Sequence, residues 1–235
     1  MINKKKFIVT GSSSGIGKSI SEFLLEKGAH VIGISKSNFS FKNKNYKHFK
    51  FDLSQLYQNY KKIGEIFKDK DIDGLISNAG STKFDSLENF SPNQIHKLIN
   101  LNLNSHIYLT KCILPILKTN KSGFLIYIGS EAAYKTGKYG SIYSACKFGL
   151  RGFVKSIRQE TAKKNIKVTL VNPGIVKTPF YDNLNIEPGA NYDEFIEPKD
   201  ISKVIIDILN LRDGTVIDEI NMSSQKYVIK LKNIK

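Results

Sequence analysis

The chain alternates between short apolar runs and longer stretches in which apolar residues recur at helical spacing. After the first run, Ile16, Ile20 and Leu24 fall on one side of a helix, and Gly28 is suited to end it. Most apolar runs contain four or five residues with little polar alternation, which is typical of strands buried on both faces. Runs predicted as strands lie at residues 7–10, 30–34, 47–51, 74–77, 124–128, 168–171 and 215–217.

The stretches between these runs predict helices of ten or more residues. One opens with a capping box, because Ser91 is followed by Pro92 and, at the third position, by Gln94. Strands that alternate with such helices predict an α/β fold: a Rossmann-type doubly wound parallel sheet of about seven strands with helices on both faces. No linker divides the chain, so residues 1–235 are expected to form one domain. Helices are expected at about residues 16–27, 54–68, 91–117, 143–163 and 198–211.

Composition narrows the class of protein. A chain of 235 residues with 40% hydrophobic content is long enough to bury its own core and is not disordered. Two cysteines, Cys112 and Cys146, exclude a disulfide framework, and the four histidines lack metal-ligand spacing, so no metal is expected. The early apolar run from Phe7 to Val9 is too short for a secretory signal or a membrane helix. We therefore expect a cytoplasmic protein that does not bind a membrane.

The net charge of +15 is the unusual feature of the composition. Only three of the 36 basic residues are arginine, and lysine is the poorer reader of DNA bases, so a nucleic-acid partner is not expected. The excess is interpreted as a lysine-rich background, with an anionic ligand as the alternative. It is uneven, because residues 1–70 carry +9 and residues 71–235 carry +6.

A cluster of small residues joins the first predicted strand to the first predicted helix. Small residues let the backbone approach a pyrophosphate at the positive end of a helix. A flexible turn is the alternative, but the position between strand and helix favours a phosphate-binding turn. The residues expected to bind a cofactor that carries a pyrophosphate at this turn are Gly11, Ser13, Ser14, Gly15, Ile16 and Gly17.

The residues after the second predicted strand bear on the choice between NAD and NADP. Ser35-Lys36-Ser37 contains no carboxylate that would accept the hydroxyls of the adenosine ribose. A lysine with neighbouring hydroxyls attracts a 2′-phosphate, so NADP(H) is expected, with NAD(H) possible because Lys36 lacks the planar fork of arginine. The alternative is that Lys36 is a solvated loop lysine.

Tyr143 and Lys147 are four residues apart, so a helix places them on one face with Cβ atoms about 5–6 Å apart. A free tyrosine has a pKa of about 10, and an adjacent ammonium favours the phenolate, which suits proton exchange near neutral pH. Ser130 ends the fifth predicted strand, where its hydroxyl can bond a substrate carbonyl. This spacing alone is common on exposed helices, but here it follows the glycine turn and Asn78-Ala79-Gly80 in order.

Together these motifs resemble the short-chain dehydrogenase/reductase family, over nearly the whole chain. The resemblance implies hydride transfer between a nicotinamide and a small carbonyl or alcohol substrate, with Tyr143 as the general acid of reduction. It implies that Lys147 binds the nicotinamide ribose and lowers the pKa of Tyr143, and that Ser130 orients the carbonyl. Asn102 matches the family's fourth catalytic residue, which holds a water linking Lys147 to solvent; the alternative is a surface asparagine.

The resemblance also extends the expected cofactor site. It implies adenine contacts for Asp52 and Leu53, and packing beside the cofactor for Asn78, Ala79 and Gly80. A Pro-Gly-x-x-x-Thr segment after the sixth predicted strand would hold the nicotinamide carboxamide through its backbone. The residues expected there are Pro173, Gly174, Val176 and Thr178.

The substrate side is less defined by sequence. The resemblance implies a mobile lid at about residues 179–197, and Glu131 either reaches the substrate pocket or is solvated. The substrate remains open among a 3-oxoacyl thioester, a 3-hydroxy acid and another small ketone, and an NADP(H)-binding sensor without turnover is the alternative function. Similar enzymes are often dimers or tetramers, so a homodimer or homotetramer is expected. Cys146 is expected to be a buried small residue rather than a redox sensor.

Overall fold

Seven parallel strands form one sheet in the computed structural model, which describes residues 2–67 and 71–232. The winding direction reverses between β1 (Lys6–Thr10) and β4 (Gly74–Ser77), and ligands of doubly wound sheets bind at such a reversal, beside the carboxyl ends of the strands. Two further strands, β7 (Ile186–Pro188) and β9 (Ile229–Leu231), pair antiparallel in a separate small sheet. The spatial order of the large sheet is β3 (Tyr46–Lys50), β2 (His30–Ser35), β1 (Lys6–Thr10), β4 (Gly74–Ser77), β5 (Gly123–Ile128), β6 (Ile166–Pro173) and β8 (Glu219–Met222).

Helices cover both faces of the large sheet, so the predicted fold class is confirmed. On one face, α1 (Gly15–Glu26) and α6 (Pro198–Asn210) bury apolar residues against β1, β2 and β5. On the other face lie α2 (Tyr60–Ile66), α4 (Ser105–Asn120) and α5 (Ser141–Thr161). A further helix, α3 (Pro92–Ile99), packs beside α5 and opens with the predicted capping box. No helix among the described residues is long and apolar enough to span a bilayer.

The helix predicted at residues 54–68 is wrong in its first half. Two short 3-10 turns, Leu53–Gln55 and Tyr57–Asn59, precede the seven residues of α2, and Lys68 lies outside the described residues. Local side-chain bonds compete with the helix here. The Asp52 carboxylate accepts bonds from the Ser54 amide at 3.0 Å and the Ser54 hydroxyl at 2.7 Å, which tightens the first turn.

The helix predicted at residues 91–117 is two helices joined by a π-helical turn, Asn100–Asn104. The Asn102 side chain donates a hydrogen bond to the Leu98 carbonyl at 2.9 Å, inside the wider turn. A π-turn inserts a residue into the helix without ending it, and such turns occur often at functional sites. Here it turns the Asn102 side chain into the protein interior.

The strand predicted at residues 215–217 is also wrong, because β8 begins four residues after that run begins. Ile217 packs against the apolar layer under α6 instead of pairing. The register of β8 on β6 includes polar contacts, since Asn172 donates to Glu219 at 2.7 Å and to Asn221 at 3.0 Å. Polar pairing therefore outweighs the apolar run in positioning this edge strand.

The region predicted as a lid contains β7 and is tied to the C-terminal segment, residues 223–232. Besides the β7–β9 pairing, Lys226 forms an ion pair with Asp193 at 2.8 Å. The Lys232 ammonium donates to the backbone carbonyls of Tyr181 and Asp182. These contacts hold the lid against a segment that sequence patterns did not connect to it.

Candidate active site

One open cavity of about 910 Å³ runs along the carboxyl ends of the central strands. It brings together nearly all of the residues predicted from sequence. Gly17 and Asn102 do not line it, although both lie directly behind residues that do. The predicted residues in its wall are Gly11, Ser13, Ser14, Gly15, Ile16, Ser35, Lys36, Ser37, Asp52, Leu53, Asn78, Ala79, Gly80, Ser130, Tyr143, Lys147, Pro173, Gly174, Val176 and Thr178.

The glycine turn between β1 and α1 has the backbone that its sequence predicts. Gly11 and Gly15 have φ values of +66° and +51°, in the left-handed region that favours glycine. Gly17 has a packing reason, because a Cβ there would lie 2.4 Å from the Gly11 carbonyl oxygen. The turn therefore folds back on the start of α1 and leaves its small residues facing the cavity.

The ends of β1 and β4 are fastened together beside this turn. The Thr10 hydroxyl accepts hydrogen bonds from the backbone amides of Asn78 at 2.8 Å and Ala79 at 2.9 Å. The Asn78 side chain donates to the Thr10 carbonyl at 2.9 Å. These bonds hold the ends of β1 and β4 together at the crevice where the winding reverses. They explain why an Asn-Ala-Gly segment follows a buried strand.

The adenosine end of the cavity contains a positive and a negative side chain. The Lys36 side chain is 81% exposed, and its ammonium lies 3.4 Å from the Asp52 carboxylate. The Ser35 hydroxyl is buried and donates to the Ser37 carbonyl at 2.9 Å, and it also lies 2.7 Å from the imidazole of His48. Ser35 therefore shapes the loop that presents Lys36 and Ser37 to the cavity.

Ser130, Tyr143 and Lys147 meet at the other end of the cavity. Ser130 follows β5, and its hydroxyl is hydrogen-bonded to that of Tyr143 on α5. Lys147 lies one turn after Tyr143, with its ammonium 5.6 Å from the centre of the tyrosine ring. The ammonium donates to the Ile128 carbonyl at 3.1 Å, which holds α5 against β5.

Burial shifts the two ionisable groups of this cluster in opposite directions. It raises the pKa of Tyr143 to about 12, and the bond to Ser130 offsets this only in part. It lowers the pKa of Lys147 to about 8. The net rise reflects burial of the phenol, and the expectation that Lys147 lowers the pKa of Tyr143 stays a prediction. At neutral pH Tyr143 holds its proton.

Asn102 lies behind the cavity wall and is fully buried. Its amide oxygen accepts from the Ser81 amide at 3.2 Å, and its amide nitrogen donates to the Ser81 carbonyl at 2.8 Å. A Cβ on Gly80 would lie 2.9 Å from that amide oxygen. The surface-asparagine alternative is excluded, and Asn102 anchors the loop that carries Gly80.

The segment after β6 is held from both sides. The Gly174 amide donates to the Met222 carbonyl in β8 at 2.8 Å, and the Ile196 amide donates to the Ile175 carbonyl at 2.8 Å. The Thr178 hydroxyl is 3.4 Å from both the Val176 carbonyl, to which it donates, and the Phe180 amide, from which it accepts. The segment predicted to be a lid thus begins from a fixed backbone beside the glycine turn.

Aromatic side chains enclose the region next to Tyr143. Phe84 and Phe180 each have a ring centre 6.3 Å from that of Tyr143. Tyr181, from the lid, and Tyr227, from the C-terminal segment, complete the wall. This end of the cavity is therefore a partly apolar pocket beside the Tyr143 ring.

Comparison with known proteins agrees with this arrangement. The family model described as short chain dehydrogenase matches residues 5–188. The chain belongs to the short-chain dehydrogenase family. One relative, the 3-oxoacyl-[acyl-carrier-protein] reductase FabG of Buchnera aphidicola subsp. Acyrthosiphon pisum, is 39% identical over 192 residues, which cover 78% of each protein. The chain is therefore an oxidoreductase with the nucleotide-binding fold of that family.

Solved structures of other dehydrogenases share the fold over almost the whole chain. Thermoplasma acidophilum aldohexose dehydrogenase superimposes with a TM-score of 0.82 at 23% identity, covering 95% of this chain and 94% of that one. The alcohol dehydrogenase of the archaeon Thermococcus sibiricus, complexed with 5-hydroxy-NADP, gives a TM-score of 0.79 at 23% identity, covering 96% and 99%. At this identity the likeness supports the architecture.

Several residues of this dehydrogenase's pocket were not predicted from sequence. Phe84 lies in an irregular loop, and Tyr227, Ile229 and Leu231 belong to the C-terminal segment. Glu131, whose position sequence left open, lines the cavity with its side chain 16% exposed. No local pattern marks these positions, because each reaches the pocket through tertiary contacts.

Cys146 does not line the cavity and is buried in a small apolar cluster with Phe90 and Ile142. Burial raises the pKa of its thiol to about 11, which opposes formation of a reactive thiolate. The structure therefore favours the predicted packing role. No group of three or more potential metal-binding side chains occurs in residues 2–67 and 71–232.

Proposed function

We propose that this protein is an NADP(H)-dependent oxidoreductase that interconverts a carbonyl and a secondary alcohol, with Tyr143 as the general acid and base. The observation that carries the proposal is the meeting of Ser130, Tyr143 and Lys147 at one end of a cavity whose other end is the glycine turn. Family membership supports the reaction class, and the geometry of this cluster supports the proposed roles.

The residues present fit a dinucleotide. The cavity extends from Lys36, at the end of β2, to Tyr143, and its middle is lined by glycines whose positive φ or close packing excludes larger side chains. The first turn of α1 contains no acidic residue that would repel a pyrophosphate. At the adenosine end, Lys36 and Ser37 would face a 2′-phosphate, and this favours NADP(H) over NAD(H).

The reduced nicotinamide, when bound, supplies the hydride to the carbonyl carbon. Ser130 and Tyr143, whose hydroxyls already meet, would both bond the carbonyl oxygen and so polarise it. Tyr143, protonated at neutral pH, would give its proton to the developing alkoxide. Lys147 would bond the ribose hydroxyls and stabilise the phenolate that remains.

The substrate class is open between neutral and acidic carbonyl compounds. The relative named as a 3-oxoacyl-[acyl-carrier-protein] reductase supports a 3-oxoacyl thioester. A small ketone or a 3-hydroxy acid would also fit a pocket enclosed by Phe84, Phe180 and Tyr181. The charges in the pocket wall affect this choice.

The role of Tyr143 is tested by replacing it with phenylalanine. We expect Tyr143→Phe to lower the rate of NADPH-dependent ketone reduction by about 10²–10⁴-fold, because the proton donor is lost. NADPH affinity, measured by fluorescence titration, should change by less than about twofold, since the ring and its packing remain.

Tyr134→Phe is the matched control, because Tyr134 lies outside the cavity wall. It should leave the rate unchanged. Full turnover by Tyr143→Phe would refute the assigned role. Tight NADPH binding by the wild-type protein without reduction of any carbonyl compound would favour a nucleotide sensor instead.

A further inference from the structure

A carboxylate lies in the substrate pocket beside the reacting groups. Glu131 follows Ser130 directly, and its side chain is 16% exposed in the wall that also contains Tyr143, Tyr181 and Tyr227. One carboxylate oxygen lies 3.6 Å from the position that a Cβ on Gly174 would take. Glu131 therefore faces the space between Ser130 and the segment proposed to hold the nicotinamide.

The charge of this carboxylate is only partly compensated. Among the described residues, the ion pair that Glu131 makes is with Lys135, at 3.7 Å. Lys135 also lines the cavity, but its side chain is 60% exposed against 16% for Glu131, so solvent screens the lysine charge more than the carboxylate charge. Tyr227, from the C-terminal segment, lies close enough for the Glu131 carboxylate to raise the pKa of its hydroxyl.

The field of Glu131 reaches the phenols around it. After burial, it is one of the causes that raise the pKa values of Tyr143, Tyr181 and Tyr227. Glu131 therefore disfavours a negative charge at three positions in the pocket wall. A substrate carboxylate held in the same space would meet the same repulsion, and a hydrogen-bond donor would be attracted.

We propose that Glu131 determines substrate specificity, by accepting a hydrogen bond from a hydroxyl or ammonium group beside the reacting carbonyl and by excluding compounds with a free carboxylate there. This deepens, and rests on, the proposed carbonyl reduction. It removes free 3-oxo and 3-hydroxy acids from the candidate substrates. Neutral esters and thioesters, which carry no charge near the carbonyl, remain acceptable.

The test compares four ketones that differ at one group: hydroxyacetone, aminoacetone, methyl acetoacetate and acetoacetate. With NADPH, the wild-type protein should reduce the first three with kcat/KM at least about tenfold above that for acetoacetate, a difference of about 1.4 kcal/mol. Glu131→Gln keeps the size and the hydrogen-bonding capacity of the side chain. It should raise kcat/KM for acetoacetate about tenfold and lower that for aminoacetone about tenfold, mainly through KM.

Two further variants separate charge from structure. Lys135→Gln removes the compensating cation, so it should move the two charged substrates in the opposite direction, favouring aminoacetone and disfavouring acetoacetate. Glu160→Gln changes the net charge equally but lies exposed on α5, away from the cavity. It should leave all four ketones unchanged.

Equal changes for all four ketones in Glu131→Gln would show a structural role and overturn this proposal while leaving carbonyl reduction intact. A wild-type preference for acetoacetate over its methyl ester would overturn it as well. Failure of the wild-type protein to reduce any of the four ketones, with NADPH bound, would count against the proposed function and therefore against the specificity that rests on it.

Discussion

At the scale of single residues, burial shifts the pKa values of Tyr143 and Lys147 more than the charges around them do. Tyr143 and Lys147 are both shifted toward their neutral forms, because the low-polarity surroundings penalise a phenolate and an ammonium alike. A lysine with a pKa of about 8 remains largely charged at pH 7 but releases its proton readily. The cluster therefore holds a proton donor beside a cation whose charge is easily changed.

We expect the choice between NADP(H) and NAD(H) to depend on Lys36. We expect Lys36→Ala to lower the ratio of kcat/KM with NADPH to that with NADH by about tenfold, because a charge-assisted bond to the 2′-phosphate contributes about 1.5 kcal/mol. The measurement is steady-state reduction of one ketone with each cofactor in turn.

The matched control is Lys42→Ala, an exposed lysine of the same loop that does not line the cavity. It removes the same charge and should leave the ratio within about twofold of wild type. An unchanged ratio in Lys36→Ala would show that Lys36 has no part in cofactor choice and is a solvated lysine paired with Asp52.

The positions of site residues could be predicted from the sequence where local geometry determines them. The four-residue spacing of Tyr143 and Lys147 places them on one helix face wherever that helix packs. The glycines of the turn between β1 and α1 likewise indicate its positive φ values. Glu131 and Tyr227 were not predictable in the same way, because a contact between residues 96 positions apart leaves no local pattern. The pKa of Tyr143 also depended on burial that sequence does not show.

At the scale of elements, the π-turn between α3 and α4 connects a helix to the cofactor crevice. Asn102 reaches from this turn to both backbone groups of Ser81, next to Gly80 in the cavity wall. A regular helix through residues 91–117 would have turned this side chain by about 100° per inserted residue. The irregular element is therefore what places the anchor under the loop.

Replacing Asn102 should affect stability and cofactor binding together. We expect Asn102→Ala to lower the free energy of unfolding by about 2–3 kcal/mol, because it leaves the amide and carbonyl of Ser81 without their partners. The KM for NADPH should rise several-fold as the loop carrying Gly80 loosens. Urea unfolding and steady-state kinetics measure the two effects.

Asn104→Ala is the control, since its side chain bonds only Asn100 on the same turn and is partly exposed. Its effect on unfolding should stay below about 0.5 kcal/mol. A loss in Asn102→Ala no larger than this would show that the anchor to Ser81 contributes little.

Strands were predicted well where their own sequence shows an apolar or alternating pattern. The structure confirms six of the seven predicted strands within two residues at each end. β7 and β9 were missed because each has only three residues, and β8 was missed because it is paired partly through Asn172 and Glu219. Edge pairing of this kind depends on the partner strand more than on the strand's own sequence.

At the scale of the whole molecule, the excess of positive charge is concentrated in the chain's first 70 residues, which carry +9 of the net +15. These residues form β1, β2 and β3 and one wall of the cavity. The lysine excess therefore surrounds the half of the sheet proposed to bind the adenosine end of the cofactor. A positive field there would raise the local concentration of an anionic dinucleotide.

The buried His106 should make the stability of the whole fold depend on acid. It is fully buried and lies 2.7 Å from the Ser77 hydroxyl, and burial, with the nearby Lys147 charge, lowers its pKa to about 3. The unfolded chain takes up this proton near pH 6.5, so stability is present above that pH and is lost as the pH falls toward 3. We expect this one group to cost up to about 1.4 kcal/mol per pH unit below 6.5, measured by urea unfolding at steps of pH.

His106→Asn removes the proton site and retains an acceptor near Ser77, so its unfolding free energy should fall less steeply with acid than that of the wild type. The control is His96→Asn, because His96 is exposed on α3. It should keep the wild-type slope. Identical slopes for wild type and His106→Asn would mean that this histidine is protonated in the folded state.

The pairing of β7 with β9 determines which part of the enzyme is completed last during its synthesis. The chain leaves the ribosome from its amino end, and every strand of the large sheet is complete by Met222. β9, which holds the lid, emerges only afterwards. The crevice between β1 and β4 can thus form before β9 has emerged, so the wall around the substrate end of the cavity is the last part of the enzyme to be completed.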